Sequence, residues 1–169
     1  GGGGVDIEFA ADGSVVLYAS QQDNGQGHLT TLTQIFSDRL GYDAELIKVV
    51  QGDSLRTPPG TTGGAKMASV LGSSVSEAAS LIAVDAQKLA AEHLGVDDAD
   101  VGLVEGVFTA SGTNQSISIE ELVRLTATED GPHPLNRFND YQANGATYPY
   151  GSHIIEIEVD KASFVPQIV

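Results

Sequence analysis

The sequence predicts an α+β domain of two layers, a mixed β-sheet with helices packed against it. Three observations carry that prediction. Apolar and polar residues alternate near the N-terminus, apolar residues recur at helical spacing in two later stretches, and strands and helices do not follow the strict β-α-β order of a parallel sheet. With 169 residues, 41% of them apolar, the chain has the size of one domain with a real core, and residues 1–169 are read as that one domain. No internal repeat of fixed period interrupts it.

Val5, Ile7 and Phe9 alternate with polar residues, Asp12-Gly13 is a turn signal, and Val15 to Tyr18 is β-branched and aromatic, which together predict a β-hairpin. Leu29, Leu32, Ile35, Phe36 and Leu40 share one helical face, and Gly41 stands where a left-handed C-terminal residue belongs. Residues 45–51 (ELIKVVQ) read as a short buried strand. The following GDSLRTPPGTTGGAK contains a Pro pair and four glycines and cannot be helical. A second helix is predicted over 69–94, with Val75, Ala78, Ala79, Ile82, Ala86, Leu89, Ala90 and Leu94 on one face and Gly95 at its end. Its many alanines imply close packing on a sheet. Residues 101–110 suggest a second hairpin around Glu105-Gly106, and Ser118-Ile119-Glu120-Glu121 is a capping-box signature for a helix reaching about Ala127. Residues 129–150 hold three Pro and scattered aromatics without periodicity, which predicts a long irregular connection, and 154–159 and 164–169 are predicted to finish as strands.

Composition removes whole classes of function. With no Cys, disulfides, zinc-thiolate sites, Cys-ligated clusters and a Cys nucleophile are excluded from this chain. Eight basic against 23 acidic residues give a net charge of −15, which repels nucleic acid. No run of eighteen apolar residues and no secretory leader pattern is present, so no membrane-spanning segment is expected. His28, His93, His133 and His153 show none of the HxH, HxxxH or HExxH spacings of metal sites, and Asp97, Asp98 and Asp100 lack the Gly and terminal Glu of a calcium loop.

Two glycine-rich loops remain. In the first, SQQDNGQGHLTT, glycines on both sides of Gln26 let the main chain approach a planar ligand, and the Gln amide offers donors and an acceptor. In the second, Gly60, Gly63 and Gly64 precede a long helix, so free N–H groups at the helix start lie beside Lys66, as a phosphate site requires. A P-loop is not intact here, because Met67 stands where a Ser or Thr would hold Mg²⁺. Lys48, Arg56 and Lys66, three of the eight cations, fall within this region, and Lys66 is the best placed of them for an anion. Each loop opens a helix, so both can sit at one sheet edge and hold one extended ligand.

The stretches DNGQGHLTTLTQIFSDRLGY, VVQGDSLRTPPGTTGGAKMASVLGSSVSEAA and TYPYGSHIIEIEVD, in that order and spacing, resemble the molybdopterin-binding large subunit of the molybdenum hydroxylases, the xanthine dehydrogenase, aldehyde oxidase and carbon monoxide dehydrogenase group. The resemblance covers almost the whole chain and implies a molybdenum-cofactor-binding domain, one piece of a longer subunit. It implies that Gln26 meets the pterin, with Gly25, Gly27 and His28 beside it. It also implies that Thr62, Gly63, Gly64, Ala65, Lys66 and Met67 wrap the pyrophosphate or dinucleotide part. Where the family often has Gly-Ser-Arg-Ser, this chain has Gly64-Ala65-Lys66-Met67, so two hydroxyls are replaced and backbone amides with Lys66 carry the contact.

The implied cofactor is molybdopterin, with a cytosine dinucleotide form as one option, and iron–sulfur clusters and FAD are expected on partner chains or domains. The implied partners are the remaining domains of the same subunit, the iron–sulfur and flavin subunits and a small-molecule substrate, an aldehyde or N-heterocycle. The implied compartment is the cytoplasm, with the periplasm open if a signal lies elsewhere. The family's catalytic Glu in a GxGE motif has no counterpart in these 169 residues, and Glu156 and Glu158 read as a solvated strand face, so no catalytic residue is assigned. Two other readings stand beside this one: a stand-alone phosphate or nucleotide-binding module, and a structural domain that has lost cofactor binding.

Overall fold

The computed structural model describes residues 2–169. Strands β1 (Gly2–Phe9) and β2 (Val15–Ala19) form the predicted hairpin, with Ile7 opposite Leu17. Val5, Ile7, Phe9, Val15, Leu17 and Ala19 all point to the same covered face and are buried, as a period of two demands. Helix α1 (His28–Leu40) ends at left-handed Gly41 and crosses from β2 to β3 (Ile47–Val50), which therefore pairs parallel with β2. The predicted strand over 45–51 is shorter than expected. Residues Ala44–Leu46 form a 3₁₀ turn capped by Asp43, and β3 is an edge strand with only Ile47 buried.

The predicted second helix starts two residues earlier than expected, as a π-helical turn Met67–Leu71 that continues into α2 (Gly72–Leu94). This run, Met67–Leu94, is the one helix among the described residues long and apolar enough to cross a membrane, but half of its most apolar window is buried inside the protein. Of its predicted apolar face, Val75, Ala78, Ala79, Ile82, Ala86 and Ala90 are fully covered in the core, while Leu89 and Leu94 are partly buried against it. The alanines let α2 lie close to α1 and the sheet, which makes the helix layer of the fold.

A second, three-stranded sheet follows: β4 (Val101–Val104), β5 (Val107–Ala110) and β6 (Ser116–Ser118). Glu105 and Gly106 make its first turn, both at positive φ, and Gly106 meets Gly41 so closely that a Cβ on Gly41 would lie 2.0 Å from the Gly106 nitrogen. Helix α3 (Ile119–Thr126) begins where the capping box predicts, with the Ser118 hydroxyl accepting the Glu121 N–H at 3.1 Å.

The long irregular connection is corrected by the structure. Residues Arg137–Gln142 form β7, antiparallel to β1, and complete the main sheet in the order β3-β2-β1-β7. This strand meets α2 through polar groups: Arg137 pairs with Asp85, the Ser74 hydroxyl donates to the Asn139 carbonyl at 2.9 Å, and the Asn139 amide donates to the Ser74 carbonyl at 3.1 Å. Apolar periodicity is therefore absent because hydrogen bonds take its place. The final strands are also shorter than predicted, β8 (Ile157–Val159) and β9 (Pro166–Ile168), and they pair only with each other, exposed on both faces.

Candidate functional site

The first loop is shaped by one carboxylate. Asp23 Oδ1 accepts the N–H groups of Gly25 at 2.7 Å and Gln26 at 3.0 Å, and Oδ2 accepts the N–H of His28 at 2.9 Å. These bonds, that from Gly25 foremost, hold the Asp23 carboxyl below the usual carboxylate range. Gly25 and Gly27 adopt φ of 98° and 78°, and a Cβ at either would meet nothing within 4 Å. Within this chain, glycine is thus required by the backbone hand at these positions, not by crowding.

Gln26 differs from its predicted role in one respect. Its carbonyl oxygen accepts the N–H of Asn24, so the side chain that was expected to offer both donors and an acceptor has its acceptor tied down and its amide N–H₂ left to face outward. His28 is buried, its Nδ1 has no hydrogen-bond partner, and α1 starts behind it without any side-chain cap at Gly27.

The second loop is shaped by other segments. The Thr62 hydroxyl accepts the Gln22 N–H at 2.9 Å and donates to the Gln22 carbonyl at 2.7 Å, bridging the two loops across forty residues of sequence. Gly60 sits against the first loop, where a Cβ would come within 2.9 Å of Gln21 Cγ and 3.0 Å of Ser20 Cβ. The Thr147 hydroxyl donates to the Gly64 carbonyl at 2.8 Å. Ala65 is left-handed at φ 53°, a conformation costing a residue with a Cβ about 1–2 kcal/mol, and Lys66 returns to φ −93°. Such a reversal of hand turns neighbouring N–H groups toward one side.

The two loops meet in one cleft of about 260 Å³, lined by Gln26, His28, Thr62, Gly63, Ala65, Lys66, Met67 and Ala68. Seven of the ten residues predicted for the site are thus brought together. The other three, Gly25, Gly27 and Gly64, lie in the same loops and supply positive φ without lining the cleft. Met67 forms the apolar floor, since it is also part of the core. The ranking of cations also acquires a reason: Arg56 is taken by Glu8 at 2.7 Å and lies over the Tyr18 ring, and Lys48, exposed on edge strand β3, does not line the cleft, which leaves Lys66 as its cation.

Sequence reasoning missed Asp23, Gln22 and the bridging role of Thr62. An Asp two residues before a Gly is a turn signature that would have exposed the first, whereas a bond spanning forty residues leaves no local mark. His133, which carried no assignment, is a core residue: its Nδ1 accepts the Leu135 N–H at 3.1 Å and its Nε2 lies 3.0 Å from the Val123 carbonyl. Glu156 and Glu158 are exposed, and among the described residues no group of three or more His, Cys, Asp or Glu is placed to hold a metal.

Comparison with known proteins bears on this geometry. The sequence family described as the molybdopterin cofactor-binding domain matches residues 1–168. The chain is 34% identical over 164 residues to the 6-hydroxypseudooxynicotine dehydrogenase complex subunit gamma of Paenarthrobacter nicotinovorans, covering 94% of this chain and 20% of that one. It is 28% identical over 163 residues to the carbon monoxide dehydrogenase large chain of Hydrogenophaga pseudoflava, again covering 94% and 20%. It spans about a fifth of the length of these relatives. Among solved structures, the reconstituted CO dehydrogenase from Oligotropha carboxidovorans superposes with a TM-score of 0.85 at 27% identity, over 98% of this chain and 21% of that one. Quinoline 2-oxidoreductase from Pseudomonas putida 86, at 22% identity and a TM-score of 0.79, covers 99% and 22% and shares the fold.

Proposed function

We propose, proceeding from the fact that this chain belongs to the molybdopterin cofactor-binding domain family, that its two glycine-rich loops hold the phosphate-bearing part of a molybdopterin cofactor within the large subunit of a molybdenum hydroxylase. The observation that carries this reading is the one-sidedness of the cleft. Lys66, the Gln26 amide N–H₂ and the N–H groups at the start of the Met67 helical turn are donors, joined by the N–H groups of α1 that follow His28, whose own N–H is held by Asp23, and His28 Nδ1 lies among them without a partner. Donors converging at helix N-termini beside a lysine fit an oxyanion such as phosphate, and they do so inside a molecule whose overall charge of −15 would otherwise repel one.

The residues present therefore suit the group that the family implies. When bound, such a cofactor supplies the redox chemistry by which water-derived oxygen is added to an aldehyde or N-heterocycle. This chain's own residues bind and orient: Asp23 fixes the Gly25-Gln26-Gly27 backbone, the Thr62–Gln22 bridge sets the distance between the loops, and Lys66 neutralises charge. The catalytic base and the iron–sulfur and flavin carriers belong to segments or subunits outside these residues.

The test is Gln26→Ala in the full-length protein that carries this chain, with molybdenum content compared against thermal midpoint. Lowered occupancy at an unchanged midpoint is expected, because an exposed loop amide supports ligand more than core. Full occupancy with a collapsed midpoint would make Gln26 structural and end the reading.

A further inference from the structure

The Gly64–Ala65 peptide is the point of the second loop where two demands collide. Its carbonyl accepts the Thr147 hydroxyl at 2.8 Å, and its N–H belongs to Ala65, which is held left-handed at φ 53° although it carries a Cβ. A trans peptide is planar, so its C=O and N–H point in opposite directions and fixing one fixes the other. Ala65 lines the Lys66 cleft, whereas neither Gly64 nor Thr147 does. The oxygen is thus anchored outside the cleft. The Ala65 N–H becomes the first of three successive N–H groups, those of Ala65, Lys66 and Met67, which a left-handed residue followed by a right-handed one gathers into a concave, anion-attracting set.

Packing does not keep the peptide this way round. A Cβ at Gly64 would meet nothing within 4 Å, and glycine accepts either orientation of the peptide that follows it. A half-turn of the peptide plane would carry Ala65 out of the left-handed region into extended backbone, which any residue adopts, and would relieve its strain. The same half-turn would disperse the three N–H groups and swing a carbonyl oxygen to the side where an anion sits. One hydrogen bond and one left-handed residue are of similar energetic size, so the Thr147 bond is comparable to the strain it opposes. Thr147 comes from the irregular stretch that follows β7; Ala146 and Tyr148 on either side of it are exposed, and Thr147 is half-buried, so this one residue makes the contact.

We propose that Thr147 is a positioning residue for the Lys66 cleft: without lining the cleft, its hydroxyl locks the Gly64–Ala65 peptide in the orientation that presents N–H, and not C=O, to an oxyanion. The inference rests on the reading of that cleft as a phosphate site and adds to it a latch supplied from eighty-three residues further along the chain.

The test is isothermal titration of the full-length protein that carries this chain, freed of cofactor, with inorganic pyrophosphate. Thr147→Val keeps the shape of the side chain and removes the donor. It should weaken pyrophosphate about threefold to tenfold, the worth of one hydrogen bond, and leave the thermal midpoint nearly unchanged, because the lost bond and the relieved strain offset each other. Thr147→Ser, which retains the hydroxyl, should restore binding. The decisive arm is the same change made in the Ala65→Gly background: with no left-handed strain to release, Thr147→Val should cost less than about twofold relative to Ala65→Gly alone. No loss with Thr147→Val, a loss that Thr147→Ser does not restore, or an equal loss in both backgrounds overturns this inference and leaves the phosphate site standing. Failure of the unsubstituted protein to bind pyrophosphate overturns the phosphate reading and this inference with it.

Discussion

The two glycine-rich loops face one another across the same groove and are built in opposite ways. The first keeps its shape by itself: one carboxylate, Asp23, gathers three N–H groups within five residues. The second has a local turn around Asp53 only at its start, and its glycine-rich part, Gly60 to Lys66, takes its shape from outside, from Gln22, from the wall against Gly60 and from Thr147, eighty-three residues beyond Gly64. Local bonds make a loop whose form survives when its neighbours move. Distant bonds make one that reports on them, and the strained Ala65 lies in that second loop. The difference suits a site in which one wall presents a fixed amide and the other closes a charge onto the ligand.

The comparison can be broken or sharpened by substitution. The largest effect is expected at Lys66. In the full-length protein, Lys66→Met should weaken phosphate or cofactor retention by about 1.5–3 kcal/mol, with a reduced dependence on salt, while Arg56→Met, whose guanidinium is already held by Glu8, should change little. Dissociation followed at two ionic strengths checks this, and equal losses for the two variants would remove Lys66 from the site. Thr62→Val comes next. It deletes both bonds of the bridge and should cost about 1 kcal/mol in thermal or denaturant unfolding, together with increased amide exchange at Gln22. A variant with wild-type stability and wild-type exchange would mean the loops are held together by something else.

Ala65→Gly should act in the other direction. Relief of the left-handed strain, partly offset by the greater freedom of glycine in the unfolded chain, predicts a gain below about 1 kcal/mol, readable as a small rise in the thermal midpoint. A loss would show that φ 53° is not strained in this setting. The smallest and most local effect concerns pH. The Asp23 carboxyl titrates below its ordinary value because the folded loop donates to its ionised form, so its contribution is complete above the usual carboxylate range and disappears as the pH falls through the lowered value. The protection of the Gly25, Gln26 and His28 amides, taken relative to the intrinsic exchange rate at each pH, should fall on acidification while that of Gly60 to Lys66 is unaffected, and Asp23→Asn should show the lower protection already at neutral pH. Equal acid sensitivity in both loops would erase the contrast between them.

What the sequence disclosed follows the same division between local and distant causes. The β1–β2 hairpin, α1, α2 and the start of α3 were legible because each buries an apolar face with its own period or announces itself by a cap such as Ser118. Strand β7 was not, since its inward contacts are Arg137 with Asp85 and Asn139 with Ser74, and polar partners leave no hydrophobic period to count. β6, only three residues long, was lost for want of length. In the cleft, the two loops that line it were legible from glycine spacing and from the family resemblance, but the bonds between them were not. Neither the loss of the Gln26 acceptor to Asn24 nor the bridge from Gln22 to Thr62 can be read without coordinates, because each depends on where a backbone group lies and not on which residue carries it.

The β8–β9 ribbon has a practical consequence for anyone handling this protein. Ile154, Ile157, Phe164 and Ile168 are more than half exposed there, and two strands paired only with each other are marginal in water. Such a ribbon opens independently of the core, so limited digestion should nick the chain beyond residue 142 while the remainder stays resistant. Its unpaired, apolar edges are also where one molecule would first adhere to the next as a solution is concentrated. In the isolated chain, adhesion and nicking would therefore begin at the 157–168 ribbon, none of whose residues lines the Lys66 cleft.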